Sequence, residues 1–246
     1  MLKRLLLISV LMIPAGLAAA GEEGADLMHA GTDINNLQSL QRGARNFMNY
    51  CSGCHSLKYL RYNRMGQDLA IPPAELTALM FTSEKPFDGI NSAMPGADAE
   101  KWFGKQPPDL SLVARSKGVD YVYSFLHGFY ADKSRPWGVN NFYLPGAAMP
   151  HVLQQLQGLQ KPVFKSEAGE GGGAKMVLTG VEAMTPGALK PEEYDQFVRD
   201  IVNFLDYAAE PIKARRQSLG VYVTLFLLVF FVFAYLLKKE YWKDVH

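Results

Sequence analysis

The hydrophobic pattern changes most sharply at the two ends of the chain. Lys3 and Arg4 precede an apolar run at residues 5–14, and small residues follow at positions 16–20. A basic start, a short apolar run and a small-residue end are typical of a secretory signal peptide. The apolar run is too short to cross a membrane as a helix. We therefore predict that residues 1–20 form a signal peptide, which is cleaved after residue 20.

A second apolar run, Leu219–Leu237, contains 19 residues and no charge. At about 1.5 Å per residue, a helix of this length spans about 28 Å, close to the thickness of a bilayer's hydrocarbon core. Tyr222 lies near one end of the run and Tyr235, Tyr241 and Trp242 lie near the other, where interfacial aromatic residues are expected. The pattern predicts a transmembrane helix over residues 218–238. Because the signal peptide exports the N-terminus, the single span predicts a cytoplasmic tail at residues 239–246.

Helical periodicity dominates the segment between these two signals, residues 21–217. Apolar residues recur with helical spacing from Leu37 to Tyr50, from Val119 to about His127, and from Tyr194 to Ala208. The last of these helices has Pro191 in its first turn, where proline is tolerated, and should end before Pro211. We predict two terminal helices and a third between them, forming one domain with a substantial core.

The rest of this domain has weaker patterns. Residues 162–179 contain two short β-type runs around a Gly-rich centre, which predicts a small β-hairpin. Segments 82–108 and 129–150 are rich in Gly, Pro, Asn and aromatic residues with little periodicity, which predicts long ordered loops. The expected fold class is therefore mainly α, with long loops and a small β-hairpin, plus one C-terminal transmembrane helix.

Charge excludes one class of partner. The whole chain has a formal net charge of +1. Loss of the signal peptide removes two basic residues and no acidic one, which leaves a formal charge of about −1 at neutral pH. A chain with this balance offers no support for binding nucleic acid.

The only two cysteines form the motif Cys51-Ser52-Gly53-Cys54-His55. Cys-x-x-Cys-His is typical of covalent attachment of a c-type haem. The two thiols add to the haem vinyl groups, and the adjacent imidazole reaches the iron. The motif predicts one covalently bound haem c, with Cys51 and Cys54 as attachment residues and His55 as an iron ligand. Electron transfer is the first functional hypothesis.

Three other interpretations of the motif are weaker. A thioredoxin-type redox pair normally precedes a helix in a βαβ unit, and no βαβ pattern surrounds residues 51–55 of this chain. A zinc site needs a fourth ligand, which residues 51–55 do not supply. A structural disulfide between Cys51 and Cys54 would leave His55 unexplained.

The second axial ligand is expected to be a methionine, because a thioether favours reduced iron and raises its potential. Met94 and Met149 both precede a proline in Gly- and Pro-rich loops, which can carry a side chain to the far face of the haem. Spacing alone does not decide between them. His151 is a third candidate, because imidazole is also an iron ligand.

Five segments of the mature chain form a recognisable set: Cys-Ser-Gly-Cys-His-Ser-Leu-Lys-Tyr at 51–59, Pro-Pro-Asp-Leu-Ser at 107–111, Asp-Tyr-Val-Tyr-Ser-Phe-Leu at 120–126, Leu-Pro-Gly-Ala-Ala-Met-Pro at 144–150 and Phe-Leu-Asp-Tyr-Ala-Ala-Glu-Pro at 204–211. In these segments the chain resembles the cytochrome c1 family, the haem subunits of quinol:cytochrome c reductase (cytochrome bc1) complexes. The fold that this resemblance implies is a c-type cytochrome domain with a membrane anchor.

The resemblance also implies roles for particular residues. It makes Met149 the second iron ligand, completing a His/Met-ligated haem. It places Arg115, Lys117 and Tyr121 against the haem propionates. Familiar members of the family carry arginine where Lys117 stands, and lysine cannot make the same forked contact. The division of the propionates between Arg115 and Lys117 therefore stays open.

The function implied by the resemblance is respiratory electron transport in a bacterial inner membrane, with the haem domain of residues 21–217 in the periplasm. Electrons would come from a Rieske iron–sulfur protein and pass to a cytochrome c, while the anchor lies in lipid beside cytochrome b. The chain alone would catalyse no bond chemistry. Two alternatives are a membrane-bound cytochrome that feeds a terminal oxidase and a haem-based sensor, which would need an open iron position.

Overall fold

A computed structural model describes residues 26–83, 85–168 and 174–243. The predicted signal peptide and part of the predicted tail lie outside the described residues. The helices are α1 (Leu37–Tyr50), α2 (Tyr62–Asp68), α3 (Pro73–Ala78), α4 (Gly96–Phe103), α5 (Val113–Ser116), α6 (Val119–His127), α7 (Gln154–Gln157), α8 (Pro191–Ala209) and α9 (Lys213–Tyr241). The strands are β1 (Leu57–Arg61), β2 (Gly89–Ile90), β3 (Phe129–Ala131), β4 (Val139–Asn141), β5 (Gln160–Ala168) and β6 (Ala174–Ala183).

The mainly helical fold predicted from the sequence is confirmed, and local signals explain where its two principal helices begin. The Asn36 side chain accepts a hydrogen bond from the Ser39 amide at 3.1 Å, which caps the start of α1. At the start of α8, Pro191 occupies the first turn and the Glu193 carboxylate accepts from the Lys190 amide at 2.9 Å. These contacts satisfy amides that a helix start leaves without partners.

Helices α1 and α8 cross at Gly43. A Cβ atom placed on Gly43 would lie 2.0 Å from the backbone oxygen of Asp200, so only glycine permits this approach. The buried carboxylate of Asp200 accepts from Ser39 Oγ at 2.6 Å and from Arg42 Nε at 2.6 Å. Because the charge is paired and hydrogen-bonded, its burial is tolerated at the crossing. The core continues from this crossing to β1, α2 and α6.

The strands form three separate antiparallel pairs, β1 with β2, β3 with β4, and β5 with β6. The predicted hairpin is β5–β6, which extends beyond residues 162–179 at both ends. The loops predicted at 82–108 and 129–150 contain α4 and the β3–β4 pair. Helix α4 escaped sequence analysis because it is only two turns long and buries a single residue, Ala99, so it has no apolar stripe to detect.

Helix α9 contains the predicted transmembrane segment. Its 29 residues are long and apolar enough to cross a membrane, and none of them is buried against the rest of the chain. Two ion pairs join its first turns to the end of α8. Lys213 Nζ contacts both carboxylate oxygens of Asp206 at 2.8 Å, and Arg216 Nε lies 2.5 Å from Glu210 Oε1.

We expect Gly43→Ala to destabilise the domain by about 3 kcal/mol, because the new methyl group must force two packed helices apart. Thermal unfolding followed by circular dichroism measures this loss. The matched control is Gly180→Ala in β6, where a Cβ meets no atom within 4 Å. That variant should unfold within about 0.5 kcal/mol of the parent. Equal stability of the two variants would contradict the close crossing.

Candidate haem-binding site

The Cys-x-x-Cys-His motif begins where α1 ends. Cys51 is the C-terminal cap of the helix, and its amide donates to the Phe47 oxygen at 2.8 Å. The amides of Cys54 and His55 then both donate to the Cys51 oxygen, at 3.0 and 2.9 Å. This tight turn brings both sulfur atoms and the imidazole to one side of the helix end.

Burial governs the chemistry of the two thiols. It raises the pKa of Cys51 to about 12, with a smaller contribution from nearby Cys54, and it also raises the pKa of Cys54. A thiol with a raised pKa is a poor nucleophile at neutral pH and a poor partner for disulfide exchange. These environments disfavour the thioredoxin-type interpretation, because redox-active cysteines have lowered pKa values.

A backbone oxygen orients the imidazole of His55. Its Nδ1 lies 2.8 Å from the oxygen of Pro108, which can only accept a hydrogen bond. Nδ1 therefore carries the proton, and Nε2 keeps a free lone pair. Burial lowers the pKa of His55, partly offset by the contact with Pro108 and by the charge of Asp109. A neutral imidazole with one nitrogen bonded to a carbonyl is the usual form of a metal-ligating histidine.

The Pro-Pro-Asp-Leu-Ser segment at 107–111 runs beside β1 and explains how Pro108 is held. The Leu110 amide donates to the Ser56 oxygen at 2.8 Å. The Asp109 carboxylate accepts from the Lys58 amide at 3.0 Å, and the Ser111 hydroxyl accepts from the Tyr59 amide at 3.2 Å. Three contacts thus fix the segment that orients His55.

The motif opens onto a cavity with about 580 Å³ of empty space, part of it open to solvent. Its wall is almost entirely apolar. The residues that line it are Tyr50, Cys51, Cys54, His55, Phe103, Lys105, Gln106, Pro107, Pro108, Ala148, Met149, Pro150 and Val152. Four of the residues predicted from the sequence, Cys51, Cys54, His55 and Met149, therefore face one cavity although Met149 is distant in sequence.

The two other candidates for the second ligand lie outside this lining. Met94 follows Ser92, whose hydroxyl accepts from the Met94 amide at 3.0 Å, in the segment before α4. His151 is 8% exposed, and its ring stacks on Phe129 with the centroids 4.9 Å apart. Of the three candidates that the sequence left open, only Met149 lines the cavity.

The three residues predicted to contact the propionates lie elsewhere. Arg115 lines a separate cleft of mixed polar and apolar character with Asp206 and Lys213. Lys117 Nζ lies 5.8 Å from the ring centroid of Tyr121, a distance at which a cation and an aromatic ring attract each other. The cavity lining includes none of these three, so their role stays a prediction.

Sequence analysis missed most of the wall. Phe103 ends α4, and its ring lies 5.2 Å from that of the exposed Trp137. Lys105 and Gln106 follow in the loop that leads to Pro107. The aromatic content of segment 82–108 was the available signal, but no periodicity showed which aromatic residue points inward.

The residues present fit a c-type haem. A flat apolar cofactor suits the apolar lining of this cavity. The two thiols lie beside an imidazole whose free nitrogen is available to iron, and a thioether lines the same cavity. A zinc ion fits less well, because within the described residues no group of three or more His, Cys, Asp or Glu side chains has a suitable arrangement.

Comparison with known proteins supports the same conclusion. A model of the cytochrome C1 family matches residues 30–245. The chain is 50% identical to a protein named cytochrome c1 from Allochromatium vinosum, with 100% of each chain covered. It is 41% identical to a protein named ammonia monooxygenase gamma subunit from Nitrosomonas europaea, over 99% of this chain and 98% of that one. It is 26% identical to a protein named cytochrome b/c1 from Bradyrhizobium diazoefficiens, over 85% of this chain and 33% of that one.

Both the family match over most of the chain and the full-length similarity to the Allochromatium protein agree with the cavity described above. The chain belongs to the cytochrome c1 family.

Proposed function

We propose that this protein is the membrane-anchored haem subunit of a respiratory quinol:cytochrome c reductase, and that it carries electrons from a Rieske iron–sulfur protein to a cytochrome c. The observation that carries the proposal is the pairing of His55 with the Pro108 oxygen in a cavity that Met149 also lines. That arrangement offers iron one nitrogen and one sulfur ligand from different parts of the chain, which suits electron transfer rather than ligand capture.

Four residues would hold the cofactor. Cys51 and Cys54 would form thioether bonds to it, and His55 Nε2 and Met149 Sδ would ligate its iron. The bound haem supplies an iron that takes up and releases one electron at a time. The apolar wall would limit the water around the cofactor, and the Pro108 oxygen keeps the imidazole oriented. The thioether of Met149 would favour the ferrous state and so raise the potential.

Basic and tyrosyl side chains would complete the site. We propose Arg115, Lys117 and Tyr121 as the propionate contacts. The short distance between Lys117 and the Tyr121 ring supports placing these two side chains at one propionate. Arg115, in its cleft beside Lys213, is the weaker member of the three.

The anchor defines the surroundings of the subunit. We propose that residues 1–20 are removed as a signal peptide, that residues 21–217 form a periplasmic haem domain, and that residues 218–238 cross the inner membrane and leave residues 239–246 in the cytoplasm. Cytochrome b is the proposed neighbour of the span. The Bradyrhizobium relative supports this partner, because its name combines cytochrome b and cytochrome c1 in one chain.

Replacing both Cys51 and Cys54 by Ser should abolish covalent haem attachment, because the thioether bonds need both sulfur atoms. Acid–acetone extraction should leave haem on the parent protein and remove it from the double variant. Retention of covalent haem by the double variant would exclude these cysteines as the attachment site.

Replacing Met149 by Leu should remove the sixth iron ligand while preserving volume and apolarity. We expect the reduction potential to fall by on the order of 0.1 V or more, because axial ligands set haem potentials. The reduced protein should also begin to bind carbon monoxide. Redox titration and visible spectra measure both effects. Met94→Leu is the matched control and should leave potential and spectrum unchanged; the opposite pattern would make Met94 the ligand.

Purification from detergent-solubilised membranes tests the proposed complex. The full chain should co-purify with cytochrome b and a Rieske protein. A chain that ends at Gln217 should be released in soluble form with its haem, and without cytochrome b, because no residue in the apolar part of α9 is buried by the described part of the chain. Co-purification with a terminal oxidase instead of cytochrome b would support the alternative electron donor. Carbon monoxide binding to the parent protein would support a haem sensor.

A further inference from the structure

Met149 lies in a loop without regular secondary structure between β4 and α7. We call residues 142–150 the methionine loop. An irregular loop is a weak support for a metal ligand unless other contacts fix it. The structure contains such contacts at both ends of this loop, and they converge on two phenylalanines, Phe125 and Phe129.

Asn141 holds the first end of the methionine loop. It is fully buried, and its side chain uses both polar atoms. Nδ2 donates to the Phe125 oxygen at 2.7 Å. Oδ1 accepts from the amides of Tyr143 and Leu144, at 2.9 and 3.2 Å. One buried amide therefore joins the start of the loop to the end of α6.

His151 holds the second end. Its ring lies parallel to that of Phe129, with an interplanar angle of 5° and centroids 4.9 Å apart. Burial lowers the pKa of His151 to about 4, against smaller opposing contributions from Gln157 and Gly158. Its Nε2 is buried without a hydrogen-bond partner in the described part of the chain. Stacking on Phe129 therefore helps to fix this ring, together with the neighbouring Gln157 and Gly158.

The two ends share one support. The rings of Phe125 and Phe129 meet edge to face at 5.2 Å, and Phe129 is 1% exposed. Between the two ends, Arg135 Nη2 donates to the Gly146 oxygen at 2.9 Å, which braces the middle of the loop. Pro150 restricts the backbone immediately after Met149.

We propose that Asn141 and His151 are positioning residues for the axial methionine, because they fasten both ends of the methionine loop to the Phe125–Phe129 pair. This inference rests on the proposed role of Met149 as an iron ligand. A thioether is a neutral, weakly held iron ligand. Its bond to iron therefore forms more readily when the loop that carries it is already ordered, because little conformational entropy is then lost on ligation. Loosening either end should let the sulfur leave the iron without unfolding the domain.

The test uses the full-length, haem-loaded protein in detergent and two loosened variants. His151→Ala removes the stacked ring. Asn141→Asp keeps the oxygen that binds the Tyr143 and Leu144 amides and loses the donor to Phe125. Each should lose the charge-transfer band between sulfur and ferric iron, lower the reduction potential and admit carbon monoxide. His151→Phe restores a flat ring against Phe129 and should recover all three parental properties.

His127→Ala is the matched control for a lost buried ring. His127 is also 8% exposed and packs against Tyr123 with the centroids 4.3 Å apart. It lies outside the methionine loop and bonds to the Tyr123 oxygen and to Asp195, at 2.8 and 3.0 Å. This variant should unfold at a lower temperature than the parent and keep the parental band and potential.

A second substitution at His151 covers the case in which His151→Ala fails to accumulate. His151→Leu keeps apolar volume without a stacking ring, so it tests the same role of the ring.

The outcomes separate this inference from the ligand assignment. If Met149→Leu keeps the sulfur-to-iron band, the assignment of Met149 is wrong. If Met149→Leu loses the band while His151→Ala (or its leucine substitute) and Asn141→Asp keep the parental band and potential, Met149 remains the ligand and the positioning role is overturned. Failure of His151→Phe to restore the band would overturn the role of stacking at His151.

Discussion

The contact between α1 and α8 determines where the rest of the haem domain is built. The two helices approach so closely at Gly43 that a methyl group would collide with the backbone of Asp200. Close approach buries the Asp200 carboxylate, and the paired Arg42 and Ser39 side chains keep that burial tolerable. Because α1 ends at the cysteine motif, the crossing also fixes the direction in which both thiols and His55 leave the helix.

Around this crossing, the site is assembled from segments that have little regular structure of their own. The Pro-Pro-Asp-Leu-Ser segment supplies the oxygen that orients His55, and its contacts with Ser56, Lys58 and Tyr59 hold it against β1. The methionine loop reaches the cavity from another part of the chain. Its supports are a buried amide and a stacked imidazole rather than a helix or a sheet. Rigidity here comes from side chains that tie backbone to backbone.

Helix α9 differs from the rest of the protein in the distribution of its charged and apolar residues. Every described residue of α9 lies outside the core, so the helix needs lipid or another protein to cover its apolar surface. Lys213 pairs with Asp206, and Arg216 pairs with Glu210. Both ion pairs lie at the N-terminal end of α9, before its apolar run begins. They connect the start of α9 to the end of α8 by charged side chains at two points.

Local patterns in the sequence were sufficient to predict the features that depend on residues close together in the chain. These include the cysteine motif, the principal helices, the hairpin and the apolar run of α9, because helical periodicity, capping and hydropathy act over a few positions. Spacing alone did not separate Met94 from Met149, since both precede proline in similar loops. The tertiary structure distinguishes them, because only long-range contacts bring residue 149 to the wall that contains Cys51, Cys54 and His55. The contact between the Pro108 oxygen and His55 could not be predicted from the sequence either. Every residue has a backbone oxygen, so residue type does not show which one will lie beside the imidazole, and only the folded chain brings these two atoms together.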